Sequence, residues 1–296
     1  MQTRSHLLRP ETLNAFGNLE LLARSVVEGM LLGLHRSPVF GFSQEFAEYR
    51  AYRDGDDPRH VDWNVFARSE RMVIKQFQGD TNSHLMIVLD ASASMSFGEP
   101  VSKLDYARML AACLAFLAAR QHDAPGLTVF DESVLRYLAP SRRPGAQSAL
   151  LATLENLEPG QGTRFQPALE SFLGRVGRRG MVAVISDFHR DPEVLLERVQ
   201  PLCLAGHDLV LFQVLDAEEL RPRARGPRLL RDLETGEAVE VSPDFLARDY
   251  PERIQRHVDD LRTAVGRAGG HHLLLETQQP LGPALRDYLK FRQHRR

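Results

Sequence analysis

Apolar and polar residues follow two distinct patterns along the last two thirds of the chain. Residues 84–90, 181–187 and 209–216 are short apolar runs that each end in an aspartate, which is typical of strands buried on both faces. Between these runs, apolar residues recur at helical spacing. The predicted helices cover residues 102–117, 145–157 and 165–177. This alternation predicts an α/β fold with a mainly parallel, doubly wound sheet and helices on both of its faces.

Two hairpins and a last strand complete the predicted sheet. Residues 127–130 and 134–138 flank a polar tripeptide, so we expect them to form a hairpin at an edge of the sheet. Residues 217–250 interrupt the alternation, and we expect a small inserted hairpin there. The last strand is predicted at residues 272–276, and a C-terminal helix follows it.

The first part of the chain has a different character. Residues 8–33 carry apolar side chains at helical spacing and predict a helix. Residues 34–83 are rich in glycine, aspartate, arginine and aromatic residues, with short β-like pieces. We therefore predict an N-terminal helix with an irregular, partly β extension over residues 1–83, followed by the sheet domain over residues 84–296.

Acidic and hydroxyl side chains follow the first strand of the sheet domain. Right-handed crossovers place the carboxyl ends of parallel strands at one edge, which is the usual ligand site of such sheets. There, Asp90, Ser92 and Ser94 occupy alternate positions separated by alanines. A hard cation prefers oxygen ligands, so we expect Mg²⁺, with Mn²⁺ or Ca²⁺ as alternatives. Because hydroxyls are neutral, the metal would keep most of its charge and attract an aspartate or glutamate of a partner protein.

The Asp-x-Ser-x-Ser motif resembles the metal-ion-dependent adhesion site, or MIDAS, of von Willebrand factor A domains. That family adds a threonine from a later loop and an aspartate after the fourth strand. Thr163 and Asp187 match these two positions. The resemblance therefore implies a von Willebrand factor A-like domain whose metal is held by Asp90, Ser92, Ser94, Thr163 and Asp187.

Residues 49–63 combine tyrosines, arginines and aspartates with turn signals. The arginines have acids nearby for bidentate pairing, and Trp63 is predicted to be a packing anchor. Alternative interpretations are a Ca²⁺ loop or a catalytic acid cluster. We favour a structural role, because the spacing does not fit an EF-hand.

The same segment resembles the bacterial family known as domain of unknown function 58. The residues that fill the family pattern are Arg50, Tyr52, Gly55, Asp56, Asp57, Arg59, Asp62 and Trp63. Members of this family are similar to partners of MoxR-type AAA+ ATPases. The resemblance therefore implies an ATPase of this type as a partner.

Composition narrows the class of protein further. The formal net charge is −2, so no overall basic field attracts nucleic acid. Cys113 and Cys203 lie in apolar surroundings and are predicted to be buried thiols in a reducing compartment. The longest apolar stretch is well short of the roughly 20 residues that span a bilayer. We therefore expect a cytoplasmic protein that does not insert into a membrane.

These features together favour a Mg²⁺-dependent protein-interaction module over an enzyme. The alternative is a metal-dependent phosphohydrolase with Asp90 or a metal-bound water as its nucleophile. Neither Ser92 nor Ser94 has a histidine or lysine tied to it in sequence, so no general base is predicted. The basic run of Arg221, Arg223, Arg225, Arg228 and Arg231 is interpreted as a solvated loop, with an anionic partner surface as the alternative.

Overall fold

The computed structural model describes residues 10–11, 17–35, 46–52, 61–69, 71–77, 83–160, 179–223, 226, 228–233 and 236–294. The predicted helix over residues 165–177 lies outside these residues. The helices are α1 (Leu19–His35), α2 (Trp63–Ser69), α3 (Lys103–Arg120), α4 (Ala146–Glu155), α5 (Pro192–Leu204), α6 (Ala217–Leu220), α7 (Tyr250–Arg267) and α8 (Leu281–His294). In this part of the chain no helix has both the length and the apolar character needed to cross a bilayer.

The strands form three separate sheets. They are β1 (Phe46–Ala51), β2 (Val73–Phe77), β3 (His84–Asp90), β4 (Ala124–Phe130), β5 (Val134–Leu138), β6 (Met181–Ser186), β7 (Asp208–Leu215), β8 (Arg228–Arg231), β9 (Ala238–Val241) and β10 (His271–Glu276). The largest sheet has the order β10-β7-β6-β3-β4-β5. Its strands are parallel, except that β5 pairs antiparallel with β4 at one edge. The predicted α/β fold and its edge hairpin are confirmed.

The sheet is buried because its central strands are apolar along their whole length. Met86 and Val88 of β3 pack in one cluster with residues of α5 and α7. Successive side chains of a strand point to opposite faces, so Leu85, Ile87 and Leu89 lie on the other face, where they are also buried. Helix α3 contacts β3 and β4. Helices therefore cover both faces, and the carboxyl ends of the strands remain available for a site.

Helix α3 begins where its capping sequence predicts. The Ser102 hydroxyl accepts a hydrogen bond from the Asp105 backbone N–H at 3.0 Å, as an N-cap residue does. Alanines and leucines fill most of the helix, and most of its residues are buried. Lys103, the first helical residue, is therefore buried near the carboxyl edge of the sheet although its side chain is charged.

The chain divides into two compact units, and the division falls within α1. One unit contains residues up to 28 together with residues 83–296. The predicted division grouped the N-terminal helix with the extension over residues 1–83, ahead of the sheet domain. The start of α1 belongs with the sheet because the Leu19 backbone N–H donates to Glu155 at 2.9 Å and Glu28 pairs with Arg120 at 3.4 Å.

The second unit spans residues 29–82. Strands β1 and β2 pair antiparallel within it, and the Asp62 backbone N–H donates to the Val73 carbonyl at 2.9 Å. Trp63 was predicted to be a packing anchor, but 56% of it is exposed and its ring makes an edge contact with Phe66. Most of the other side chains of α2 are exposed as well, so this helix offers Trp63 little to pack against. Residues 53–60, which carry most of the predicted acid–arginine pattern, lie outside the described residues.

An insertion follows β7 in the first unit. Helix α6 comes first, and β8 and β9 then pair antiparallel, with Leu230 opposite Val239. We call this β8–β9 pair the insertion hairpin; it lies where the sequence predicts a small hairpin. All four residues of β8 are exposed. The insertion hairpin is therefore built outside the core of the main sheet.

Candidate metal centre

Asp90 is the last residue of β3 and lies at the carboxyl edge of the sheet. Its Oδ1 accepts a hydrogen bond from the Ser92 backbone N–H at 2.9 Å. Its Oδ2 accepts a second from the Ser186 hydroxyl at 2.6 Å. The side chain is almost fully buried, so these two bonds fix the carboxyl group in one orientation.

The two serines of the motif converge beside Asp90. Ser92 has extended backbone and precedes a short 3₁₀ turn over Ala93–Ser96. This geometry brings the Ser92 and Ser94 hydroxyl oxygens to 3.1 Å from each other. Met95, between them and the next turn, is fully buried and anchors the loop. The structure thus gathers the three oxygen side chains that the sequence predicts at one point.

Asp187 follows β6, the strand next to β3, and reaches the same edge. Its Oδ2 accepts a hydrogen bond from the Lys103 ammonium at 2.8 Å, and the Ser94 side chain is near enough to help lower the pKa of Asp187. Four of the five predicted site residues therefore lie together. The fifth, Thr163, lies outside the described residues.

Three further charged residues, which sequence reasoning missed, complete the cluster. The Lys103 ammonium also donates to Glu219 Oε1 at 2.6 Å. The His189 imidazole lies with Nε2 3.2 Å from Glu219 Oε1 and 3.7 Å from Asp187 Oδ2. The sequence ties no lysine or histidine to the two serines, whereas the fold brings Lys103 and His189 to the carboxylates beside them.

The charges of the cluster are set by burial and by their neighbours. Burial, followed by the nearby Asp187, raises the pKa of Asp90 from 3.8 to about 7. Burial also acts to raise the pKa of Asp187, but Lys103 and His189 outweigh it and the pKa falls below its usual value. Glu219 behaves in the same way, with a pKa lowered by His189 and Lys103 against the effect of burial. Lys103 is thus a buried cation shared by two carboxylates.

The arrangement around Asp90 fits a hard cation. In the described part of the chain no cationic side chain pairs with Asp90, since Lys103 is taken up by Asp187 and Glu219. The carboxyl group of Asp90 and the hydroxyls of Ser92 and Ser94 supply oxygen ligands of the kind that Mg²⁺ takes. A cation there would favour the charged form of Asp90, which burial now disfavours.

A buried hydrogen-bonded chain supports the loop that carries Asp187. The Gln213 amide Nε2 donates to the Asp187 backbone carbonyl at 3.0 Å. The Gln213 Oε1 lies 3.0 Å from His272 Nε2 on the neighbouring strand β10. Because Gln213 is fully buried, this chain fixes the backbone at the site from the side of the core.

His272 should make the stability of the protein depend on pH. Burial, and then Arg262, lowers the pKa of His272 from 6.5 to about 4. The unfolded chain therefore binds a proton that the folded chain does not, so stability is complete above pH 6.5 and falls as the pH drops toward 4. We expect this group alone to remove about 2 kcal/mol of unfolding free energy between pH 7 and pH 5.

Urea unfolding of the wild type and of His272→Gln at pH 7 and pH 5 measures this effect. The variant keeps a side-chain donor toward Gln213 but has no group that titrates in this range. Between the two pH values the variant should lose about 2 kcal/mol less unfolding free energy than the wild type. Equal losses in the two proteins would show that His272 does not carry the pH dependence.

A cleft of about 790 Å³ opens next to the cluster. Its floor includes Asp90, Ser94, Lys103, Asp187 and Glu219, and residues of the insertion hairpin line another side. Ligand sites commonly enclose roughly 300–1,000 Å³. The candidate metal centre is therefore reachable from a cleft large enough for part of another molecule.

Comparison with known proteins decides the family. Residues 48–260 match the model of a family described as protein of unknown function DUF58. The chain belongs to the DUF58 family. This confirms the resemblance inferred from residues 50–63. A relative described as an uncharacterized protein of Mycobacterium tuberculosis is 29% identical over 294 residues, which are 97% of this chain and 90% of the relative.

Solved structures resemble this DUF58 chain in fold. The conserved hypothetical protein BatB from Bacteroides thetaiotaomicron is 18% identical, with a TM-score of 0.48 over 71% of this chain and 99% of BatB. The VWA domain of SpRpn10 is 12% identical, with a TM-score of 0.42 over 69% of this chain and 93% of that domain. Both TM-scores are below 0.5, so the likeness is weak.

Proposed function

We propose that this DUF58 protein is a Mg²⁺-dependent protein-interaction module. In this proposal the cation is held, directly or through water, by Asp90, Ser92, Ser94, Thr163 and Asp187. An aspartate or glutamate of a partner protein completes the site. The observation that carries the proposal is the convergence of the Ser92 and Ser94 hydroxyls, 3.1 Å apart, beside the buried Asp90 carboxyl group, with Asp90 and Ser94 lining an open cleft.

Charge explains why such a site favours an acidic partner. Two hydroxyls add no negative charge, and Asp187 is already paired with Lys103 at 2.8 Å. A divalent cation beside Asp90 is then neutralised only in part. A carboxylate from outside gains a strong attraction in a partly desolvated cleft. Mn²⁺ or Ca²⁺ would satisfy the same oxygen ligands, with Ca²⁺ needing more of them.

The partner we propose is a MoxR-type AAA+ ATPase in the cytoplasm, acting with this protein in assembling or remodelling a target. The proposal rests on the DUF58 pattern of residues 50–63, whose family is similar to partners of these ATPases. The net charge of −2 offers no general attraction for nucleic acid, which is consistent with a protein partner.

A second candidate, a metal-dependent phosphohydrolase, is favoured by one observation. His189 lies 3.2 Å from Glu219 and 3.7 Å from Asp187, and such contacts with carboxylates orient a histidine for general acid or base catalysis. Burial acts to lower the pKa of His189, but Asp187 and Glu219 raise it above its usual value, which suits an acid better than a base. Turnover of p-nitrophenyl phosphate that requires both Mg²⁺ and His189 would support this candidate over the interaction module.

Removal of one metal ligand should weaken partner binding. We expect Ser92→Ala to reduce the affinity for a MoxR-type ATPase from the same host by roughly ten- to a hundred-fold. EDTA should weaken the wild type to a similar degree. The two losses should not add, because both remove the same interaction. Isothermal titration calorimetry with and without Mg²⁺ measures all four combinations.

Ser96→Ala is the matched control. Ser96 belongs to the same 3₁₀ turn, but it is exposed and its hydroxyl donates to the Ala93 carbonyl at 2.6 Å. This control should bind the ATPase as the wild type does. If binding survives both EDTA and Ser92→Ala unchanged, the metal centre takes no part in partner binding and the proposal fails.

A further inference from the structure

The cleft beside the metal centre has two chemically different sides. One side is the cluster at the carboxyl edge of the sheet, with Lys103, Asp187 and Glu219. The other includes the insertion hairpin, which contributes Arg228 and Leu230 among others. A ligand that reaches the metal centre through this cleft therefore meets the hairpin as well.

The hairpin side offers aliphatic surface to the cleft. Leu229, Leu230 and Leu233 all line it, with 69%, 42% and 46% of each residue exposed. Within the cleft, apolar surface is added by Leu195 of α5, by Tyr250 at the start of α7 and by Leu246 in the π-helical turn just before α7. Neighbouring exposed leucines at a concave site are typical of a surface that another molecule covers.

The same side also carries more positive than negative side chains, because three arginines line it against Glu218 and Asp232. Arg223, Arg228 and Arg231 line the cleft and are exposed. Over the described ranges none of these three side chains pairs with a carboxylate, whereas Arg221, just outside the cleft, pairs with Glu276 at 2.7 Å. Guanidinium groups prefer bidentate contacts with carboxylates. The charge of this side thus complements an acidic ligand.

We propose that the cleft binds a short acidic and apolar segment of a partner protein, held by the metal centre and the insertion hairpin together. One carboxylate of the segment reaches the metal beside Asp90, and this step rests on the function proposed above. A neighbouring aliphatic or aromatic side chain packs on Leu229 and Leu230. A second carboxylate pairs with Arg228 or Arg231.

The two contacts perform different tasks. The metal contact selects any accessible aspartate or glutamate, because a cation recognises charge and oxygen alone. The hairpin selects the residues next to that acid through apolar burial and arginine pairing. Together they distinguish one acidic partner from the many acidic surfaces of other proteins.

Selection from a phage-displayed library of random peptides, carried out on the full chain with Mg²⁺, tests this proposal. We expect the enriched peptides to contain an acid next to a leucine, isoleucine or phenylalanine, with a second acid nearby, and to elute with EDTA. Fluorescence anisotropy then measures the affinity of the most enriched peptide for each variant.

Two variants of the insertion hairpin should weaken the binding of that peptide. Leu229→Ser and Arg231→Glu should each reduce its affinity by roughly ten-fold, because the first removes an apolar contact and the second removes a charge pair. The matched controls are Leu204→Ser and Arg136→Glu, at exposed positions of α5 and β5 that do not line the cleft. The controls should bind the peptide as tightly as the wild type.

The outcomes separate this proposal from the one on which it rests. Peptides that share only an acid, elute with EDTA and ignore both hairpin variants would overturn the role of the hairpin and leave the metal-dependent module intact. Peptides that need the hairpin but resist EDTA would overturn metal-dependent binding. If no peptide is enriched over the unselected library, the cleft does not bind such a segment and the inference is wrong.

Discussion

Replacing Asp90 by asparagine should make the metal-free protein more stable and at the same time abolish Mg²⁺ binding. In EDTA, we expect Asp90→Asn to raise the free energy of unfolding by about 2–4 kcal/mol at pH 7.5. The reason is that Asp90 is buried and its pKa rises from 3.8 to about 7. A neutral amide of the same shape avoids the cost of the buried charge.

The direction follows from proton linkage. A carboxyl group whose folded pKa exceeds its unfolded pKa stabilises the fold fully only below pH 3.8, and this contribution is lost as the pH rises through about 7. The advantage of Asp90→Asn should therefore be absent at pH 3.5, grow between pH 4 and pH 7, and stay constant above. A structural aspartate with a lowered pKa would show the opposite behaviour.

Denaturant unfolding in EDTA measures the change in stability, and calorimetry with Mg²⁺ measures the change in metal binding. Asp131→Asn is the control, because Asp131 follows β4 at the same edge but is outside the Asp-x-Ser-x-Ser motif. The control should bind Mg²⁺ as the wild type does. Wild-type Mg²⁺ binding by Asp90→Asn would rule out Asp90 as a ligand. A loss of stability in EDTA would show that Asp90 serves the fold.

Lys103→Met should have the opposite effect on stability. Only 1% of the Lys103 side chain is exposed, and its ammonium pairs with Asp187 at 2.8 Å and with Glu219 at 2.6 Å. Removing the cation leaves two carboxylates without their shared partner in a buried site. We expect a loss of about 3–5 kcal/mol of unfolding free energy, which is the usual result of breaking a buried ion pair from one side.

Neutralising the two acids as well should restore most of that loss. The triple variant Lys103→Met, Asp187→Asn, Glu219→Gln removes the whole ion cluster and keeps its volume, which is often close to neutral for stability. Thermal unfolding of the single and triple variants at pH 7.5 in EDTA makes the comparison. If the single variant is as stable as the wild type, or the triple variant is no better than the single one, the Lys103 pairs do not stabilise the fold.

Much of the fold follows from local patterns in the sequence. The runs that became β3, β6 and β7 are apolar along their whole length, so their burial and parallel pairing follow from hydrophobicity and connection length. The start of α3 follows from its Ser102 cap. These features depend on residues close together in the chain, which a single sequence displays.

Residue spacing alone predicted only the part of the site whose residues are neighbours in sequence, and Asp187 was added by the resemblance to von Willebrand factor A domains. Asp90, Ser92 and Ser94 lie within one loop, and their spacing alone indicates convergence. Lys103 and Glu219 come from the first turns of α3 and α6, 116 residues apart, and meet only because the topology places both helices at one sheet edge. A lysine at the start of a helix gives no sign of burial, so this ion pair was missed.

The basic run after β7 shows a different limit. Its composition is that of an ordinary solvated loop, and the sequence alone favours that interpretation. Only the fold shows that Arg228 and Arg231 line the cleft of the candidate metal centre whereas Arg221 pairs with Glu276. Arginines of one basic run can thus take different roles, because the course of the backbone determines which side chains line the cleft.

The exposure of the insertion hairpin to solvent has an evolutionary consequence. Strand β8 places none of its residues in the buried core of the sheet, and β9 is exposed along most of its length. Mutations there escape the selection that protects folding, whereas mutations at Lys103 do not. Relatives that keep the same sheet edge can therefore diverge in the hairpin and acquire new partners without rebuilding the domain.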